Sequence, residues 1–248
     1  MLHQPTVDKL YELRLLGMAK ALEEQIASSQ YEALDFLDRL GLLVDRERAE
    51  RDSSRLHVRL KKAKLRLTAT IEDVNYRHPR GLDKALLFSL AGCQWIHEHH
   101  NCIIVGPTGI GKSYLACALA HKACREGYRA LYLRAPRLFD DLALAHADGR
   151  YRKMLAAYAR IDLLVIDDWG LVSLTQEQRQ DFFEIVEERH GLRSTLIASQ
   201  VPLEKWHNVI GDPTLGDAIL DRLAHSAHKI ILKGHSLRKK PDKTNHES

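Results

Sequence analysis

Gly106-Pro107-Thr108-Gly109-Ile110-Gly111-Lys112-Ser113 fits the pattern G-x-x-x-x-G-K-[ST] at every fixed position, with an additional glycine at Gly109. Before it, Cys102-Ile103-Ile104-Val105 is an apolar, β-prone run; after it, the stretch from Tyr114 to Arg125 is rich in Ala and Leu. The octapeptide therefore lies between an expected buried strand and an expected helix, the context that a phosphate-binding loop requires. Glycines here let backbone N–H groups turn toward phosphate oxygens, and the start of the helix adds partial positive charge. Lys112 is expected to reach the β- and γ-phosphates and the Ser113 hydroxyl to hold Mg²⁺. Residues 106–114 are thus read as a nucleotide-binding segment.

Downstream, Leu163-Leu164-Val165-Ile166-Asp167-Asp168 is an apolar strand ending in two carboxylates, 55 positions after Lys112. This is a Walker B arrangement. Asp167 is expected to hold Mg²⁺, directly or through water, and Asp168 to orient or deprotonate the attacking water. A second apolar run, Thr195-Leu196-Ile197-Ala198-Ser199-Gln200, also ends in polar groups. A side chain there would sit between the acids and the γ-phosphate, so Gln200, or failing that Ser199, is the candidate phosphate sensor. Arg222 and Arg238 are two further candidates, because an arginine supplied to the γ-phosphate often comes from a neighbouring subunit.

The bulk composition is consistent with this reading. A chain of 248 residues, 45% apolar and 28% charged, suits one large α/β domain with a small helical appendage. It has no run of 18 apolar residues and no charged-then-apolar leader, so a cytoplasmic protein without a membrane partner is expected. Cys93, Cys102, Cys117 and Cys124 form no C-x-x-C pair and read as buried, reduced thiols. His97-Glu98-His99-His100 reads as exposed polarity, since His99 and His100 would diverge on a helix. A net charge of +4 is a weak pointer to an anionic partner.

Residues 6–66 read as helical, with Thr6 as a cap for a helix carrying Leu15, Met18, Leu22 and Ile26 and a second run from near Tyr31. Between Arg46 and Arg66 stand nine Lys/Arg and three acids. Arg55, Arg59, Lys62 and Arg66 share a face at helical spacing and could track phosphates. Residues 71–90 read as a connector. From there strands are expected at 102–105, 129–133, 161–166, 194–198 and 228–232, with helices between them, notably 112–125 and 175–190. That alternation predicts a parallel sheet covered by helices on both faces. The expected organisation is a helical domain over 1–67, an ATPase domain over 68–240 and a polar tail over 241–248.

Taken together, the phosphate loop, Asp167-Asp168-Trp169-Gly170, Ser199-Gln200-Val201-Pro202, Trp206-His207, Asp221-Arg222-Leu223 and Ser236-Leu237-Arg238 resemble the IstB transposition helper ATPases of the AAA+ class. These are relatives of the DnaC helicase loader, and the resemblance spans residues 4–240. It implies an AAA+ P-loop module after a small all-helical domain, ATP as the nucleotide, Mg²⁺ as cofactor, and Arg222 and Arg238 as arginine finger and second sensor. It further implies a homo-oligomer that assembles on double-stranded DNA with ATP and recruits a transposase of the integrase type. Arg134, Arg137, Arg150, Arg152 and Lys153 are then candidates for a basic channel. Asp168 departs from the family's usual Glu and is one methylene shorter, which predicts slow hydrolysis. A DnaC-like loader of single-stranded DNA and helicase, and an ATP-gated clamp that does not turn over, are the rival readings.

Overall fold

The computed structural model describes residues 3–237. The chain falls into two compact units, Met1–Val58 and Arg59–Ser248.

The first unit is built from α1 (His3–Glu12), α2 (Leu16–Ala27), a 3₁₀ turn at Ser29–Tyr31 and the amino-terminal part of the long α3 (Phe36–Ala63). Helicity is therefore broken twice within 6–66. Arg14, with φ of 59°, ends the first helix, and Asp35 starts the third by accepting the Asp38 amide at 2.8 Å. Thr6 lies inside α1 and caps nothing, and the helix expected from Tyr31 begins instead at Phe36. Gly17 lets α2 approach the backbone of α3 closely. A Cβ at Gly17 would stand 2.6 Å from the Arg46 carbonyl oxygen, so only glycine permits that approach. The buried carboxylate of Glu47 takes amides of the first turn of α2 that have no partner within the helix, accepting from Gly17 N at 2.8 Å and Met18 N at 3.2 Å.

In the second unit α4 (Lys84–Ala91) occupies the end of the stretch read as a connector. Its cap is Asp83, which accepts from the amides of Ala85 and Leu86. There follow α5 (Gln94–His97), β1 (Cys102–Val105), α6 (Lys112–Arg125), β2 (Ala130–Arg134), α7 (Ala135–Ala147), α8 (Tyr151–Ala159) and β3 (Leu163–Trp169). The chain continues through α9 (Gln176–Arg189), β4 (Ser194–Ser199), α10 (Trp206–Ile210), α11 (Pro213–Ala224) and β5 (His228–Ile231). Thr175 and Gln178 form a reciprocal capping box at α9, which fixes where that helix starts.

All five strands pair in parallel in the order β2-β3-β4-β1-β5. Strands β1, β3 and β4 are buried almost throughout, as expected for a sheet covered on both faces. The order matters for function. The strand leading to Gly106 and the strand bearing Asp167 lie on either side of β4, so the carboxyl ends of all three open on one edge. Beneath that edge Trp169 stacks on Phe182 with ring centroids 4.1 Å apart and meets Trp206 at 5.6 Å. This aromatic cluster anchors the strand end that carries the acids.

All four cysteines are buried and none is bonded to another. Burial pushes the Cys93 thiol up to about 11 and the Cys102 thiol to about 12, so neither is a nucleophile near neutrality. No helix among the described residues is long and apolar enough to cross a membrane.

Candidate nucleotide-binding site

The loop between β1 and α6 is shaped by its glycines. Gly109 and Gly111 adopt φ of 81° and 99°, a region that side chains disfavour. Neither position has room for one. A Cβ at Gly109 would stand 2.1 Å from Ser236 Oγ, and one at Gly111 would stand 2.4 Å from Arg80 Nη1. The outer side of the loop is clamped by the segment after β5. Leu232 N donates to the Val105 carbonyl at 2.7 Å and Leu237 N to the Gly109 carbonyl at 2.9 Å. Lys112 Nζ arches back over the loop and donates to the carbonyls of Gly106 at 2.7 Å and Pro107 at 3.0 Å.

A cleft of about 550 Å³ opens along this loop, lined by Thr108, Gly109, Gly111, Lys112, Ser113 and Tyr114, with Asp168 and Gln200 at the sheet edge. That volume suits a nucleotide. The expected loop residues do not all face it. Ile110 is buried beneath the loop, and Gly106 and Pro107 line a second, apolar groove of about 390 Å³.

The β3–β4 register slips between Ile166 and Trp169, where the two acids sit. Such an irregularity re-aims side chains at a strand end. Asp168 takes φ of 59°, and the two carboxylates part company. Asp167 is only 1% exposed; it accepts from the Tyr132 hydroxyl and, at 2.8 Å, from the Asp168 amide. Burial, together with that carboxylate, pushes the Tyr132 phenol far above its usual range, so it remains a donor. Asp168 reaches the cleft but is engaged there. Arg134 Nε donates to its Oδ2 at 2.7 Å, and Arg66 Nη1 lies 3.7 Å from the same oxygen.

At the end of β4 the two candidate sensors separate. Ser199 is buried, its hydroxyl donating to the Trp169 carbonyl at 2.8 Å and accepting from Val201 N at 3.0 Å. Gln200 lines the cleft and its side-chain carbonyl accepts from Thr108 Oγ1.

The remaining candidates lie elsewhere. Arg222, on α11, pairs with Glu187, donates to the Ala218 carbonyl at 3.0 Å and stacks over Phe183 at 5.2 Å, outside its own chain's cleft. Arg238 and the 241–248 tail lie outside the described residues. The predicted basic face on α3 is not uniformly directed to solvent. Arg59 Nε donates to the Cys124 carbonyl at 2.8 Å, Arg55 pairs with Asp52 at 3.6 Å, and Arg66 lies past the end of α3 at Ala63, off the expected helical face, where it turns to Asp168. Lys62, Arg152 and Lys153 are exposed. Arg137 and Arg150 pair locally with Asp141 and Asp148.

Three site residues carried no sequence signal for the role their position gives them. Nothing in the spacing marks Tyr132, Arg134 suits a basic channel as well, and Arg80, which lines the cleft, stands in the connector stretch. Each reaches the site through distant contacts that spacing does not encode.

The fit to a bound Mg²⁺–nucleotide rests on the glycine cradle that a Cβ would fill and on the Ser113 hydroxyl at the cleft; Asp168 is the carboxylate that lines it, while Asp167, the expected metal ligand, is buried behind it.

The sequence profile of the IstB-like ATP binding protein family matches residues 8–245. A Sinorhizobium fredii insertion sequence ATP-binding protein is 52% identical over 239 residues, covering 96% of this chain and 98% of its own. The Pseudomonas fluorescens ATP-binding protein of insertion sequence IS1162 is 48% identical over 203 residues, covering 82% and 88%. Among solved structures, the DnaC helicase loader superposes with a TM-score of 0.57 at 22% identity, over 69% of this chain and 100% of that one. The replication initiator DnaA bound to AMPPCP and single-stranded DNA gives 0.55 at 20% identity, over 69% and 52%. At such identities these two likenesses establish the AAA+ fold and nothing finer.

Proposed function

This chain belongs to the IstB-like ATP-binding family, and we propose that it is an ATPase that oligomerises on duplex DNA with ATP and serves an integrase-type transposase in the cytoplasm. The observation that carries the reading is the convergence of the Lys112–Ser113 loop, Asp168 and Gln200 on one cleft in a chain whose relatives are insertion sequence proteins.

The residues divide the work as follows. The amides of Gly109 to Ser113 and the Lys112 ammonium bind the phosphates; Lys112 exchanges its two loop carbonyls for phosphate oxygens. Ser113 and, directly or through water, Asp167 would hold Mg²⁺, which would neutralise charge on the phosphates. Gln200 orients the terminal phosphate and Asp168 orients or deprotonates the attacking water once its arginine partners let go. Arg222 of one subunit completes the site of the next, with Arg238 as a second contact to the phosphates. Bound ATP then bridges subunits, and hydrolysis weakens the assembly and releases it.

On the DNA side, Lys62, Arg152 and Lys153 are the candidate cations that are exposed and pair with no acid among the described residues. A second reading is favoured by one observation. Because Asp168 is short and doubly held, ATP could act as an assembly ligand with very slow turnover. Steady-state phosphate release with and without duplex DNA separates the two. For the composite site, Arg222→Ala is expected to bind ATP normally yet lose turnover and assembly on DNA. Unchanged turnover in that variant removes Arg222 from the site, and failure of the chain to retain a transposase in a pull-down against helicase and transposase refutes the helper role.

A further inference from the structure

Arg80 is 2% exposed, and no carboxylate among the described residues pairs with it. Its Nη1 donates to the Ile110 carbonyl at 2.9 Å and its Nη2 to the Asn75 carbonyl at 3.2 Å, while its buried Nε has no hydrogen-bond partner. The guanidinium thus lies directly against the phosphate loop, so close that Gly111 can carry no Cβ, and it borders the nucleotide cleft. Its own backbone is pinned as well, with Lys233 N donating to the Arg80 carbonyl at 2.8 Å.

Such an arrangement is expensive in isolation. A buried cation without an anion destabilises a fold, and burial here pulls the guanidinium below its usual range, with only the phenols of Tyr76 and Tyr114 nearby to oppose it. Two carbonyl dipoles do not neutralise a full charge. A polyanion seated in the adjoining loop would.

We propose that Arg80 is a positioning residue of the nucleotide site that reads phosphate charge. It holds the Ile110 carbonyl back so that the following amides face the cleft, and its uncompensated charge favours the more highly charged nucleotide, ATP over ADP. The proposal rests on the reading of the cleft as an ATP site and adds to it a source of triphosphate selectivity outside the loop and Walker B residues.

A purely structural arginine and a charge-reading one respond oppositely to neutralisation. Removing a buried unpaired charge leaves the nucleotide-free fold as stable as before or more so, and the deficit appears only with ligand. The test is calorimetric titration of ATP and ADP into the full-length chain, with melting temperatures in their absence, for wild type, Arg80→Gln and Arg80→Lys. Arg80→Gln is expected to melt no lower than wild type without nucleotide, to lose about tenfold in ATP affinity and to shrink the ATP-to-ADP preference about threefold or more, since charge interactions scale with ligand charge. Arg80→Lys, which keeps the charge but not the fork, is expected to restore most of that preference. An Arg80→Gln chain that melts several degrees lower without nucleotide, or that keeps the wild-type ATP-to-ADP preference, overturns the proposal. A wild-type chain that binds neither nucleotide overturns the cleft reading, and the proposal with it.

Discussion

Arg134 and Asp168, 34 positions apart, meet at 2.7 Å because β2 and β3 run side by side with Arg134 in register with Asp167. The register puts an arginine beside the acid pair, and the slip after Ile166 turns Asp168 toward it. The contact engages the carboxylate expected to handle water, and Arg66 approaches the same oxygen from outside the sheet.

That pairing makes turnover sensitive to Arg134 in a direction opposite to that of an ordinary active-site loss. Arg134→Ala is expected to raise phosphate release without DNA several-fold, because the carboxylate is freed. Asp168→Asn is expected to lose about 100-fold in turnover while still binding ATP, the scale of a lost general base. Parallel turnover and binding assays check both; a fall in turnover in Arg134→Ala assigns that arginine to the nucleotide instead.

Gly111 is the loop position pressed against Arg80. Gly111→Ala combines a φ of 99° with a 2.4 Å approach to Arg80 Nη1. A cost of about 1–3 kcal/mol is expected, together with loss of nucleotide binding. Denaturant melts and titration measure the two effects separately. Gly127, whose φ is 97° but which faces open space, serves as the control that keeps binding.

The aromatic floor under the acids is a stability element. Trp169→Ala removes a fully buried ring stacked on Phe182 and is expected to cost about 3–5 kcal/mol. Trp169→Phe, which preserves stacking, is expected to recover most of this. Equal loss in both, read from urea midpoints, contradicts a packing role.

His146 supplies a pH-dependent term. Its Nε2 lies 2.8 Å from the buried carboxylate of Asp181, and that hydrogen bond, against some desolvation, raises the imidazole above its usual 6.5. A raised folded value means that the stabilisation is fully present below about pH 6.5 and is lost as pH climbs through the higher folded value. The melting-temperature difference between wild type and His146→Gln is therefore expected to be larger at pH 6 than at pH 8.5. A difference that grows with pH contradicts the assignment.

The sequence carried the local part of this architecture most clearly. The phosphate loop, the strand before it and the helix after it are contiguous, so periodicity and glycine spacing specify them together; α6 begins at Lys112 and ends at Arg125 as expected. The sheet strands were legible because buried parallel strands are short, continuous apolar runs. The N-terminal helices were legible in type but not in extent, because Gly17 and Glu47 join residues 30 apart and the break at Arg14 has no marker. Tyr132, Arg80 and the Arg66–Asp168 approach were not legible at all. Arg66 and Asp168 are 102 positions apart, and only the folded chain brings them together. Arg222 shows the reverse case, since its motif is readable while its partner would lie on another subunit.

ATP held by the Lys112 loop is proposed to gate assembly on duplex DNA. Sedimentation velocity of the full chain with a duplex, with and without a non-hydrolysable ATP analogue, tests it most directly against Lys112→Ala. Large DNA-bound oligomers are expected only for wild type with the analogue. Equal assembly of Lys112→Ala, or of wild type without nucleotide, would contradict it.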